Sequence, residues 1–266
     1  MPQALINELI ERELLPQGVQ VQGLTQGYSH LCFCLYAGDE KWFLKHYRQL
    51  VNTSDTAKEY EVLKQLRGTG ISPDILFGDE RGLLLPWCDG GDWSQRPLSD
   101  GLIDAVAGLC LRIHGTGLTL PALDLSHLAL CNMPQSPQAQ ANLFDAIDAL
   151  KRPGNNRVPC HMDLSLNNVL HSGHVIDWEY ACMSLPELEL AFCAVINGFA
   201  YTDYQSLWQA YKKAGGRLND SLQFQSMVYA GMINLAWFED KARKFPEDER
   251  YNQQVQRLCR DFDLYA

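Results

Sequence analysis

With 266 residues, 46% of them hydrophobic, the chain is long enough for one large domain or two lobes with real cores. Its formal net charge of −10 excludes the basic footprint that nucleic-acid phosphates require, and favours a cationic small molecule as partner. No apolar stretch of about 18 residues is present, so no membrane partner is expected.

Met1 to Glu8 lacks the basic region and continuous apolar core of a signal peptide, and a cytoplasmic location is expected. Ala4 to Leu15 reads as a short helix from the spacing of Leu5, Ile6, Leu9 and Ile10. Val19 to Gln22 and then Leu24 to Tyr36 read as strand, glycine turn at Gly27 and strand, and Lys41 to Lys45 as a third strand after Gly38-Asp39. Cys32 and Cys34 alternate along the second strand and point to one face, a core-packing pattern. The nine cysteines include no Cys-x-x-Cys pair, so neither a zinc nor a disulfide framework follows from their spacing. Thr56 to Leu66 has an apolar stripe of Tyr60, Leu63 and Leu66, and leaves Glu59 available to pair with Lys45. Asp74 to Phe77 and Gly82 to Cys88 read as further strands, and Gly90-Gly91-Asp92 as a flexible connection. From Ser99 the pattern turns helical: Leu102 to Ile113 ends at His114-Gly115, Pro121 to Pro137 reads as a connecting loop, and Leu143 to Leu150 resumes a helix. Helices are expected again over 188–198, 204–214 and 222–244, with Glu247 to Arg250 as a solvated helix face.

Between these helical stretches stands the most informative run, His161-Met-Asp163-Leu-Ser-Leu-Asn167-Asn168, followed nine residues later by Asp177-Trp178-Glu179. Phosphoryl transfer needs a carboxylate to orient and deprotonate a hydroxyl, and oxygen ligands to hold Mg²⁺ against ATP phosphates. His-x-Asp-x-x-x-x-Asn has the spacing to supply Asp163 as the base and Asn168 as a ligand, with Asp177 as the second ligand. Val169 to His171 and His174 to Ile176 flank Ser172-Gly173, the signal of a hairpin with a two-residue turn, which would set Asn168 beside Asp177. Asn167 is the rival ligand; the spacing of five from Asp163 favours Asn168.

These motifs, with Ile176-Asp177-Trp178-Glu179-Tyr180-Ala181, Glu187-Leu188-Glu189-Leu190-Ala191 and Ala236-Trp237-Phe238-Glu239, resemble the aminoglycoside phosphotransferase and choline kinase superfamily, and look most like bacterial thiamine kinases. The resemblance implies an α+β, two-lobed protein-kinase-like fold: a small N-terminal antiparallel-sheet lobe over 1–89 that binds nucleotide, and a larger, mainly helical catalytic and substrate lobe over 90–266. It implies an ATP- and Mg²⁺-dependent enzyme that phosphorylates the hydroxyl of a small cationic alcohol, thiamine first. Choline or ethanolamine kinase, aminoglycoside phosphotransferase and a non-catalytic nucleotide-binding module are the alternatives. Residue by residue, it places Lys45, paired with Glu59, on the nucleotide phosphates, the turn residues Gly27 and Ser29 over them, and Leu85, Trp87 and Cys88 at the adenine. The acceptor is expected near Asp163, Trp178, Glu179, Trp237 and Glu239, where an aromatic face and a carboxylate suit a quaternary ammonium or thiazolium. His161 would hold the catalytic loop rather than move protons. Glu189 stands where many relatives have Asp.

Overall fold

The computed structural model describes residues 2–24, 30–47, 53–151 and 156–264. The turn residues Gly27 and Ser29 lie outside them.

Helix α1 (Gln3–Glu11) ends short of the expected Leu15, because Glu13 turns to φ +60° and the amides of Leu14 and Leu15 both return to the Leu9 carbonyl, just before Pro16. A residue preceding proline is pushed out of helical geometry, which keeps Leu15 itself out of the helix. Strands β1 (Gln20–Leu24), β2 (Leu31–Ala37) and β3 (Glu40–His46) follow, then α2 (Thr53–Leu66), β4 (Phe77–Asp79) and β5 (Gly82–Pro86). The strands form one antiparallel sheet in the order β1-β2-β3-β5-β4. Strand alternation gives the sheet two different faces. Leu35, Leu44 and Leu84 pack with Leu5, Ile6 and Leu9 of α1 in one core. The opposite face carries Lys45, with Cys32 and Leu83 as its register partners and Leu85 two residues on.

The segment after Asn168 belongs to the same compact unit, Met1–Gln95 with Leu166–Ala181. Its hairpin closes through a three-residue loop, not the expected two-residue turn. The Gly173 amide donates to Leu170 O at 2.8 Å, the Leu170 amide donates to His174 O at 2.9 Å, and Gly173 sits at φ +83°. This is a turn followed by a left-handed bulge residue, a position that glycine occupies without strain. The hairpin is anchored on two sides: the Val175 amide donates to Ile71 O, and the Trp93 and His171 amides pair it with the chain at 91–93.

The other unit, Arg96–Ser165 with Cys182–Ala266, is mainly helical. It contains α3 (Asp100–His114), α4 (Leu125–Cys131), α5 (Pro137–Leu150), the two-stranded β6 (Val158–Cys160) and β7 (Cys182–Ser184), α6 (Pro186–Ile196), α7 (Tyr201–Lys213), α8 (Gln223–Lys244) and α9 (Glu249–Asp261). Ser99 caps α3 by accepting from the Leu102 amide, and Ser136 with Pro137 starts α5 earlier than the apolar pattern does. The expected loop over 121–137 contains α4, started by Asp124 accepting from the Ser126 and His127 amides and pinned by buried Leu125 and Ala129. Helix α6 is buried on nearly every side, as its continuous apolar run requires, and α8 packs against α5, α6 and α9. Among the described residues, no helix is long and apolar enough to cross a membrane.

Candidate active site

The sheet face opposite α1 carries the densest charge cluster of its unit. Lys45 is buried, and its Nζ lies 2.9 Å from Glu59 Oε2, 2.7 Å from Asp177 Oδ1 and 3.8 Å from Glu179 Oε2. Burial alone would discharge this ammonium; the three carboxylates outweigh it and hold the Lys45 pKa well above the usual lysine range. Burial pushes the Glu59 carboxyl up, with Lys45 opposing. Two residues that sequence reasoning passed over complete the cluster. His30 Nε2 is 3.0 Å from Glu179 Oε2, and the Tyr47 hydroxyl donates to Glu59 Oε2 at 3.4 Å. His30 and Tyr47 stack edge to face, 5.0 Å between centroids. Their only sequence signal is position, at the ends of the strands that carry Lys45 and its partner Cys32.

Asp177 differs from Glu59 in what it can meet. Its side chain is 37% exposed against 3% for Glu59, so Asp177 presents part of its carboxylate to solvent while Glu59 is the enclosed partner of Lys45. The Ile176 amide donates to Asn168 O at 3.0 Å, which sets Asp177 one residue past the hydrogen bond that holds Asn168. Asn168 is half-buried there, while its rival Asn167 points into solvent. The amide oxygen of Asn168 and the carboxylate of Asp177 are hard donors, a set that suits Mg²⁺, and one ammonium facing three carboxylates leaves a local excess of negative charge for it. Asp177 adopts φ +67°, a left-handed conformation that is costly for a non-glycine residue and concentrates at functional positions.

In the helical unit, Met162 takes the same kind of conformation, φ +65°, immediately before Asp163. Three bonds hold this turn. The buried Glu189 Oε2 accepts from the His161 amide at 2.6 Å and the Met162 amide at 3.2 Å, and the Asp163 amide donates to His161 Nδ1 at 3.2 Å. A ring that accepts at Nδ1 carries its proton on Nε2 when neutral, so His161 acts here as a loop brace. Burial pushes the Glu189 carboxyl up to about 7, against the lowering effect of the two amides. Asp163 itself is half-buried. The Asn197 side-chain amide donates to Leu164 O at 3.0 Å and fixes the other side of the loop.

The sequence model of the phosphotransferase enzyme family matches residues 20–223. The chain belongs to that family. A search of curated protein sequences returns no match. The phosphotransferase fold is shared with a choline/ethanolamine kinase family protein from Mesorhizobium loti, at 19% identity over 99% of this chain and 95% of that one, TM-score 0.70. Choline kinase LicA from Streptococcus pneumoniae, in complex with AMP, is 18% identical over 99% and 98% of the two chains, TM-score 0.69. Macrolide 2'-phosphotransferase MphH from Brachybacterium faecium is 15% identical over 97% and 98%, TM-score 0.66. All share the mixed architecture of an antiparallel N-terminal sheet and a larger helical part.

The remaining expected site residues of this phosphotransferase are spread more widely. Leu85 is buried on the Lys45 face of the sheet. The Trp87 amide is already used, donating to Lys41 O at 3.2 Å, and its indole donates to Asp89 Oδ1 at 2.9 Å. Cys88 is half-buried, and burial raises its thiol pKa. Trp178, expected against the acceptor, is instead wholly buried, its Nε1 donating to Val175 O at 3.1 Å; it packs the hairpin and has no face left for a ligand. Glu179 likewise serves the Lys45 and His30 cluster. On α8, Trp237 already has the Lys241 ammonium 5.0 Å from its ring centroid. Glu239 accepts from the Gln135 amide at 2.9 Å. Two residues apart on a helix, Trp237 and Glu239 point to different faces, so they do not form one cage.

Proposed function

We propose that this phosphotransferase moves the γ-phosphoryl of ATP to the hydroxyl of a small cationic alcohol in the cytoplasm, thiamine being the first choice of acceptor. The observation that carries the reading is Lys45 Nζ, held 2.9 Å from a buried glutamate and 2.7 Å from an exposed aspartate that follows an Asn-bearing hairpin. Lys45, oriented by Glu59, positions the nucleotide phosphates, and residues 1–89 serve as the nucleotide lobe. Leu85 and the backbone at 86–88 meet the adenine. Asn168 and Asp177 hold Mg²⁺, which supplies compensation for the charge developing on the phosphates. Asp163, on the loop braced by His161 and Glu189, orients the acceptor hydroxyl and takes its proton as the oxygen attacks phosphorus. The lobe over 90–266 supplies the acceptor's surroundings.

Thiamine rests on the likeness of the Asp177-Trp178-Glu179 and Trp237-Phe238-Glu239 segments to thiamine kinases, and on the net charge of −10, which attracts a cationic substrate. Choline or ethanolamine is the second reading, supported by the names of the first two structural neighbours. ADP release from MgATP, measured with thiamine, choline, ethanolamine and kanamycin in parallel, tests it. Stimulation by thiamine alone is expected. Stimulation by another acceptor moves the assignment, and no Mg²⁺-dependent transfer to any of them removes it in favour of a binding module.

A further inference from the structure

The helical unit contains a cavity of about 480 Å³ whose lining includes none of the residues assigned to phosphoryl transfer. It opens at the end of α3, the start of α6 and the turn after α7, where His114, Tyr211 and Glu187 face it. His114 leads from this cavity to a buried group of three unlike donors. One ligand atom each of His114, Cys160 and Glu189 lies within 4.8 Å of the other two, and all three side chains are buried. His114 Nδ1 is 2.7 Å from the Tyr211 hydroxyl, and Nε2 is 3.8 Å from Cys160 Sγ. Glu189 spends Oε2 on the amides of His161 and Met162, but its wholly buried Oε1 has no N–H or O–H partner. The Cys160 thiol, a weak donor, is the polar neighbour of that carboxylate.

A buried carboxyl oxygen whose polar neighbour is only a weak thiol donor is poorly satisfied, and the neighbouring sulfur and nitrogen suit a metal better than they suit that oxygen. Bonds of about 2.3 Å to sulfur and 2.05 Å to nitrogen at a tetrahedral angle separate the two atoms by about 3.6 Å. The observed 3.8 Å needs almost no adjustment. The Tyr211 hydroxyl on the far ring nitrogen is the kind of outer partner that fixes a ligating imidazole.

We propose that His114, Cys160 and Glu189 bind a borderline-soft divalent cation of the Zn²⁺ type, reached through the cavity at His114, with the fourth position filled by water. The thiol, imidazole and carboxylate set selects against Mg²⁺, the ion assigned to the transfer reaction. Binding forms a metal–thiolate bond and releases the Cys160 thiol proton to solvent. Because Glu189 keeps Oε2 on the His161 and Met162 amides, the ion ties the catalytic loop to α3. The site is independent of which alcohol is phosphorylated.

The test is a titration of the full-length, metal-stripped protein with Zn²⁺ against a chromophoric chelator, reading stoichiometry and affinity. One tight equivalent is expected, weakened roughly a hundredfold or more in Cys160→Ser and roughly 10–100-fold in Tyr211→Phe. Cys131→Ser is the control, since Cys131 and His127 form an exposed sulfur–nitrogen pair 3.7 Å apart on α4. Equal zinc retention in Cys160→Ser, loss of the equivalent in Cys131→Ser, or no tight equivalent would overturn the site. Co²⁺ added to the unaltered protein gives a second readout that requires no variant to fold. A thiolate-to-cobalt absorption band supports the site, and its absence excludes Cys160 as a ligand.

Discussion

Replacing Lys45 by methionine isolates the electrostatics of the cluster, because the side-chain volume is nearly kept while the charge is lost. The variant leaves Glu59, 3% exposed, with no cation, while Asp177 and Glu179 are better solvated. Removing one partner of a buried pair costs about 3–5 kcal/mol, most of it the stranded charge. The remaining repulsion from Asp177 and Glu179 is screened and adds little. Glu59 already has its pKa raised by burial above the usual 4.5, and it rises further once Lys45 no longer opposes the shift. A carboxylate whose folded pKa is raised contributes most stability below its unfolded pKa and loses it as pH rises through the folded one. The variant therefore recovers as pH falls, by up to about 1.4 kcal/mol per pH unit between the folded value and 4.5. Native Lys45, its pKa far above 10.5, shows no such dependence of its own in this range. Urea unfolding followed by tryptophan fluorescence at pH 7.5 and pH 5 measures both quantities. A loss below about 1 kcal/mol at pH 7.5, or the same loss at both pH values, would refute the argument.

In the metal-stripped protein, Glu189→Gln should flatten the pH dependence of stability: the native carboxyl, raised to about 7 by burial, loses stability as pH rises from 4.5 to 7, whereas glutamine does not titrate. The difference between the two proteins should grow by ~1–3 kcal/mol across that window in chemical denaturation. Gly231→Ala on α8 drives a Cβ into the Phe262 ring, and this overpacking should outweigh the helix-propensity gain, for a net loss of about 1 kcal/mol. In a Phe262→Ala background the sign should reverse, to a gain of about 0.5–1 kcal/mol; the same sign in both backgrounds would show that the ring is not the obstacle.

What the sequence made legible was local. The strand pattern of Lys41 to Lys45 and the 3.6-period stripe of Leu102 to Ile113 place β3 and α3 within a residue or two of where they lie. The spacing from Asn168 to Asp177 needed only a hairpin to bring the Ile176 amide onto the Asn168 carbonyl. The misses have physical causes. Helix α4 is seven residues long and starts on an Asp124 cap inside a proline-marked stretch, so its periodicity never accumulates. Helix α9 is so polar that only Tyr251 and Leu258 are buried, and it was legible only as a charged run. The hairpin's loop length depends on Gly173 acting as a left-handed bulge residue, which a dipeptide signal does not distinguish from a two-residue turn. Trp178 is apolar and adjacent to Asp177, two properties that suit a substrate wall and a core equally; burial decides for the core. The long-range pairs of His30 with Glu179 and His114 with Tyr211 span 149 and 97 residues, beyond any local pattern.

The proposed transfer turns on Asp163. Asp163→Asn keeps the loop's backbone bonds and a side chain of the same size while removing the base. Transfer of labelled γ-phosphate from MgATP to acceptor, measured beside MgATP affinity by calorimetry, should show nucleotide binding close to that of the unaltered protein and turnover reduced by about 10²–10⁴-fold. Turnover retained within a fewfold in this variant would contradict the assignment of Asp163 and the mechanism built on it.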